Sequence, residues 1–308
     1  DNPVEFIRAL YRPDRYQYRM MLSRVGDEMS RSWSPTSVSG MSVNYVHGGY
    51  RLRSPFRHLD DEAYTDACVD DLNQVFDMMT SGDVAAMIAE PIQGVGGFAT
   101  PPDGFFAPIK KELENRGVLF ISDEVQTGWG RTGQHFWGYQ AHGITPDILT
   151  FAKGVGNGLS LGGVIAGAEL MDSLPGNSIS TFGGNPMSSV GALATIRYML
   201  EHDIQGHALR MGERLVGHLQ PAVEASDVVV ELRGRGLMLA IETVQPGTIE
   251  PNGDAAGRIM EQARAAGLLV GKGGLYGNVI RIAPPMTVTE AEIDEAGTTL
   301  AGIIERLG

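Results

Sequence analysis

Asp123 and Lys153 are the two residues in this sequence best placed to do chemistry together. Each follows a short apolar run, Val118 to Ile121 and Ile148 to Phe151, and both runs have the length of a buried strand. In a parallel α/β sheet the C-terminal ends of strands open onto the crevice where ligands bind, so two such strands aim a carboxylate and an amine at one small molecule. That pair suits pyridoxal phosphate. The amine forms a Schiff base with the aldehyde, and the carboxylate keeps the pyridine nitrogen protonated so that the ring accepts electrons. The plainer readings are a surface lysine at a strand end and a carboxylate serving an ion pair or a helix cap. The glycines after Lys153, in GVGNG, do not have the GxxxxGK[ST] spacing of a phosphate loop.

Three further residues have types that suit a site. Arg281 lies in NVIRIAP among apolar neighbours. A guanidinium buried there needs an anion, and its planar fork fits a substrate carboxylate or a structural salt bridge. Thr181, in STFGGNP, suits a phosphate contact or a turn and helix cap. Glu90 ends the run Val84 to Ala89 and reads equally as a strand-end carboxylate or a group near a ligand.

Five stretches in order, AEPIQGVGG (89–97), LFISDEVQTGWGRTG (119–133), PDILTFAKGVGNG (146–158), TFGGNP (181–186) and NVIRIAPPMTVTEAEID (278–294), carry a resemblance to a known family. The sequence resembles the class III (subgroup II) aminotransferases, fold-type I pyridoxal-phosphate enzymes, from about Asn44 to the C-terminus. The resemblance implies that Lys153 is the Schiff-base lysine and general base, and that Asp123 holds the pyridinium proton. It further implies that Val125 packs on the ring face, Gln126 bonds the phenolic oxygen and Glu90 lies close to the cofactor, while Glu124 supports the loop. Thr181 would reach the partner's cofactor phosphate in a homodimer with a shared active site, and Arg281 would take the substrate carboxylate. No metal site is expected.

The pieces EPIQGVGG, GRTGQHFWGY and GGLYGNVIRIAPPMT look most like the alanine-glyoxylate aminotransferase 2 branch. Val95 stands where family members using 2-oxoglutarate often carry a switching glutamate. The expectation is therefore an aminotransferase moving an amino group from alanine or a β/ω-amino acid to glyoxylate or pyruvate. The alternatives are a 4-aminobutyrate- or ornithine-type transaminase, a lyase or aminomutase on the same scaffold, and a non-catalytic dimeric scaffold. The last arises because the family's upstream phosphate-cupping turn and aromatic-His-Gly motif are not found. The span before Lys153 is also short by on the order of a hundred residues relative to a complete large domain. A truncated or spliced chain, or one whose disordered segments have been left out of the sequence, would account for both.

The elements that must hold these residues follow from periodicity. The expected fold is α/β: a mostly parallel sheet with helices on both faces, plus a small C-terminal α+β domain. The domains are read as an N-terminal segment over 1–40, a cofactor-binding large domain over 41–203, incomplete at its N-terminal side, and a small domain over 204–308. In the first segment Phe6, Ile7, Leu10 and Tyr11 start a helix that Pro13 interrupts, and 30–42 reads as loop. One or two helices over 60–80 precede strand 84–89, and a helix over 105–116 stops at Gly117. A strand over 162–167 is followed by a helix over 186–202 with a core stripe of Val190, Leu193, Ile196 and Leu200. The small domain reads as a helix over 208–219, strands 228–232 and 237–241, a helix over 255–266, strands 268–270 and 279–282, and a last helix opened by the capping box Thr289/Glu292.

Composition narrows the setting. The 308 residues are 43% hydrophobic, enough for one large domain and a smaller one. A net charge of -13 disfavours nucleic acid and anionic membrane as partners. Cys68 is the only cysteine, so no intrachain disulfide forms. No apolar run approaches membrane-spanning length and the start shows no secretory signal, so the expected location is cytoplasmic.

Overall fold

Six short strands between residues 19 and 166 build one sheet. The structure is a computed structural model and describes residues 19–24, 42–80, 82–173 and 180–307. The strands are β1 (Arg19–Arg24), β2 (Ser42–His47), β3 (Ala86–Ala89), β4 (Leu119–Asp123), β5 (Ile148–Phe151) and β6 (Gly163–Ala166). They lie in the order β2-β1-β3-β4-β5-β6, with every pair parallel except β5 with β6. The expected helix start at Phe6 to Tyr11 and the loop over 30–41 fall outside the described residues, whereas Ser42 already begins β2.

Burial on both faces explains why the central strands are unbroken apolar runs. On one face Met87, Ala89 and Phe120 pack against α1 (Asp61–Met79) and α2 (Phe106–Asn115). A single helix covers 61–79, capped by the Asp60 side chain, which accepts from Ala63 N at 2.9 Å. Its buried stripe is Tyr64, Cys68, Leu72, Val75 and Phe76, while Met79 is exposed. Phe106, Ile109 and Leu113 bury the inner face of α2, and Gly117 then turns the chain at a φ of 67°, where a side chain would be strained. On the other face Ala86, Ile88, Ile121 and Ile148 form a second cluster, joined by Leu170 of α3 (Ala168–Asp172). Burying one such Ile contributes about 1.5–3 kcal/mol.

The helix expected over 186–202 forms as α4 (Pro186–Glu201), but its apolar stripe is not core. Only Ser188 and Ala192 are buried, and Val190, Leu193 and Leu200 are exposed. A period of 3.6 shows that a helix has an apolar face, and it does not show what covers that face.

A four-stranded antiparallel sheet carries the C-terminal part. It comprises β7 (Val229–Arg235), β8 (Met238–Thr243), β9 (Gly271–Gly273) and β10 (Val279–Ile282), in the order β7-β8-β10-β9. Its helices are α5 (Ile204–Glu224), α6 (Gly253–Ala265) and α7 (Glu290–Glu305). The Thr289/Glu292 capping box is present, and Ile293, Leu300 and Ile303 are buried. The strand expected at 268–270 is displaced to 271–273, while Leu268 and Val270 pack at the edge of the core. Glycine at 273 leaves room beside β10, where a Cβ would lie 2.7 Å from Arg281 Nε unless that side chain moved.

The chain divides into two compact units. The first holds Pro101–Gly128, Gly138–Tyr198 and the described residues up to Pro91; the second holds Ile92–Thr100, Trp129–Trp137 and the residues from Met199 onward. Among the described residues no helix is long and apolar enough to cross a membrane.

Candidate active site

Strand register brings the first candidates together. Ile121 is opposite Ile148 and Asp123 is opposite Thr150 on the adjacent parallel strands β4 and β5. Directly opposed residues project to the same face, so Asp123 and Thr150 continue the apolar row of Ile121 and Ile148 at its C-terminal end. Lys153 comes two residues after β5, at the start of a single 3-10 turn, Lys153–Gly156. Val155 anchors that turn in the interior and leaves Lys153 exposed.

The lysine backbone is strained. Its φ of 48° is in the left-handed region, and the preceding Ala152 is extended. Strain at a non-glycine residue of this kind is often found at functional positions.

Charge links the two residues. Burial pushes the Asp123 carboxyl up from its ordinary value, while the Val125 N–H, which donates to Oδ1 at 3.1 Å, and the positive charge of Lys153 pull it down. Asp123 is thus a poorly hydrated acid on which the positive charge of Lys153 acts. The sign of the consequence follows from linkage. A carboxyl whose pKa is raised by folding contributes stability below its ordinary value of 3.8, and that contribution is lost as pH rises through the raised pKa. Asp123→Asn is therefore expected to melt about 2 °C higher than the cofactor-free parent at pH 7 and at the same temperature near ~pH 3. Calorimetry at the two pH values checks this.

Glu124 points away from that chemistry. It is fully buried and receives four hydrogen bonds, from Ser122 Oγ (3.0 Å), Thr127 Oγ1 (2.5 Å), Gly138 N (2.7 Å) and Tyr139 N (2.8 Å). This agrees with its expected supporting role. It ties the end of β4 to the residues that resume the first unit at Gly138. Val125 and Gln126, between Glu124 and Thr127, are half-buried, as is Glu90 directly after β3. Thr181 is exposed in the turn before α4. The helix cap is supplied instead by Asn185, whose Oδ1 accepts from Ser188 N at 3.0 Å.

Arg281 belongs to the second unit. Its Nη1 and Nη2 reach the carbonyls of Gly94 and Lys272 only at 3.5 Å, and its Nε is buried with no hydrogen-bond partner. Phe98 lies 5.6 Å from the guanidinium carbon. Among the described residues no carboxylate pairs with Arg281, so the structural salt bridge weighed from sequence is absent there.

Two residues escaped sequence reasoning. Arg233 is buried, bonded to Glu242 at 2.6 Å and to Glu231, and its Nε and Nη2 donate to Gly97 O at 3.0 and 2.8 Å. It holds the GVGG loop that contains Val95. The rule that singled out Arg281, a guanidinium in an apolar strand, applied equally to VVELRGR. The other is Thr150, whose buried Oγ1 has no partner.

Comparison with known proteins agrees with this geometry. The family profile described as Aminotransferase class-III matches residues 21–304. The chain is 39% identical over 226 residues to "Alanine--glyoxylate aminotransferase 2 homolog 2, mitochondrial" of Arabidopsis thaliana, covering 73% of this chain and 47% of that protein. It is 33% identical over 312 residues to an alanine/serine racemase of Pyrococcus horikoshii, covering 93% and 65%. A solved amine transaminase from an uncultivated Pseudomonas species, in its PLP-bound form, superposes with a TM-score of 0.88 at 29% identity, covering 99% of this chain and 74% of that one. The chain spans about half to two thirds of the length of the curated relatives it matches. The donor set suits the ring end of pyridoxal phosphate: a half-buried carboxylate, a lysine whose charge acts on it, and a buried hydroxyl with no partner among the described residues. By profile and by fold alike, the chain belongs to the class III aminotransferases.

Proposed function

We propose that this chain catalyses transamination with pyridoxal phosphate, moving an amino group from alanine or a β/ω-amino acid to glyoxylate or pyruvate. The observation that carries the reading is the placement of Asp123 at the end of β4 and of Lys153 just after the adjacent parallel β5, with the lysine's charge acting on the half-buried acid. When bound, pyridoxal phosphate supplies a carbonyl that condenses with amines and a ring that withdraws electrons from the substrate carbon. Lys153 Nζ would be the amine that holds the aldehyde carbon and the base that carries the proton. Asp123 holds the proton on the ring nitrogen. Val125 covers a ring face, Gln126 donates to the ring oxygen, and Glu90 supports the site close by.

Arg281 binds the substrate carboxylate, a role supported by its orphaned Nε. Val95, in the loop that Arg233 holds, cannot shield that arginine with charge, which favours a small 2-oxo acid over 2-oxoglutarate. Thr181 reaches a partner's cofactor phosphate in a homodimer, a reading supported by its exposure and by the uncovered apolar face of α4. A cytoplasmic setting belongs to the same proposal.

The test is addition of pyridoxal phosphate to the purified protein, followed by acceptor profiling with alanine as donor. A visible absorbance band and pyruvate formation with glyoxylate are expected. No band would end the reading in favour of a non-catalytic scaffold, and a preference for 2-oxoglutarate would overturn the inference from Val95. Arg281→Gln is expected to raise KM for the 2-oxo acid by roughly 10- to 100-fold with the band unchanged. An unaltered KM would remove the arginine from the substrate site.

A second reading is racemisation, supported by the racemase relative that aligns along 93% of this chain. L-Alanine incubated with no 2-oxo acid distinguishes the two, since only racemisation forms D-alanine without an acceptor.

A further inference from the structure

We propose that Thr150 is a positioning residue for Asp123, donating its hydroxyl proton to the Asp123 carboxylate when pyridoxal phosphate is bound. The proposal rests on the reading above and deepens it.

Thr150 stands directly opposite Asp123 in the β4/β5 register and on the same face of the sheet. It is 5% exposed, and its Oγ1 has no hydrogen-bond partner. A buried hydroxyl in that state bears its full desolvation cost with nothing in return. Valine would fill the same strand position with the same shape, good β propensity and no such cost. The hydroxyl therefore stabilises some other state of the molecule.

The neighbouring acid identifies that state. Asp123 accepts one hydrogen bond at Oδ1, from Val125 N, although an ionised carboxylate has about four acceptor sites. Its ionised form is the one required opposite a protonated ring nitrogen, and it is the form that burial disfavours here. Adjacent strands lie about 4.8 Å apart, and rotation of χ1 between staggered wells is enough to bring Oγ1 toward an opposed side chain. The hydroxyl has no partner here and becomes a donor to the Asp123 carboxylate when the cofactor's protonated ring nitrogen holds that group in its charged form.

The experiment compares Thr150→Val and Thr150→Ser with the parent in two measurements. One is thermal unfolding of the cofactor-free protein. The other is titration with pyridoxal phosphate followed by its absorbance band. Thr150→Val is expected to melt at or above the parent without cofactor, to bind pyridoxal phosphate about tenfold more weakly, and to shift the band. Thr150→Ser is expected to restore affinity and band. The proposal is overturned if Thr150→Val leaves both unchanged, if serine restores nothing, or if the valine variant melts as far below the parent without cofactor as with it. A parent that gives no band at all removes the transaminase reading and this proposal together. A normal parent band that the valine variant reproduces removes this proposal alone.

Discussion

Lys153→Ala is expected to lower turnover by at least about 10⁴-fold, or about 5.5 kcal/mol in the barrier, while leaving the fold intact. Two losses combine. On the proposed assignment the variant removes the amine that would hold the cofactor's aldehyde carbon and the base that would move the proton afterwards. The visible band of the bound cofactor should disappear, and small primary amines added to the buffer should return part of the activity by supplying the missing nitrogen.

Stability should behave differently. Lys153 is exposed, so truncating it costs little packing, and what it adds near ~pH 7 is the loss of the positive charge that favours ionised Asp123. Lys153→Gly is the sharper control, because a left-handed backbone costs a non-glycine residue about 1–2 kcal/mol, of which glycine's extra chain entropy returns about half. The glycine variant should melt above the alanine variant and be equally inactive. If Lys153→Ala keeps the band and measurable turnover, the nucleophile is a different residue and the assignment of this site is wrong.

What the sequence discloses is decided by how locally each feature is encoded. β3, β4 and β5 were legible because strands covered on both faces are unbroken apolar runs, and α7 was legible because its capping box lies within four residues of chain. β1 and β2 were missed. RMMLSR begins and ends with arginine and SVNYVH mixes polar with apolar, so neither shows a strand period for long. The stripe on α4 was read correctly as apolar and wrongly as buried, because a partner surface is not written in the helix itself.

The site divides the same way. Asp123 and Lys153 announce themselves at strand ends, where position alone implies a crevice. Arg233 does not, since the carbonyl it holds is 136 residues away along the chain. Thr150 could not be found from sequence either, because an unbonded hydroxyl is recognised only when every neighbour is known.

Glu124→Ala is expected to be the most damaging single change in the first unit, although Glu124 takes no part in the chemistry. The variant leaves two hydroxyls and two backbone N–H groups with no acceptor in a fully buried place. Hydrogen bonds to a charged group contribute about 1.5–3 kcal/mol each, and buried donors left unpaired retain their desolvation cost. Some repair by entering water is allowed for in a net loss of about 4–5 kcal/mol, comparable with the lower end of a whole domain's stability. Glu124→Gln tests the chemistry more finely. Its amide offers one oxygen to four donors and turns an NH2 toward the rest, so it should recover less than half of the loss. Burial pushes the Glu124 carboxyl up from its ordinary value against the four bonds that pull it down, so losing any of those donors makes its burial costlier. Thermal unfolding of the parent, alanine and glutamine proteins should rank them in that order from the top as parent, glutamine, alanine. Asp123→Asn, one residue away, should melt above the parent at neutral pH. If Glu124→Gln melts with the parent, then four hydrogen bonds to a buried charge are not what fixes the end of β4, and the loop carrying Val125 and Gln126 must be held from elsewhere.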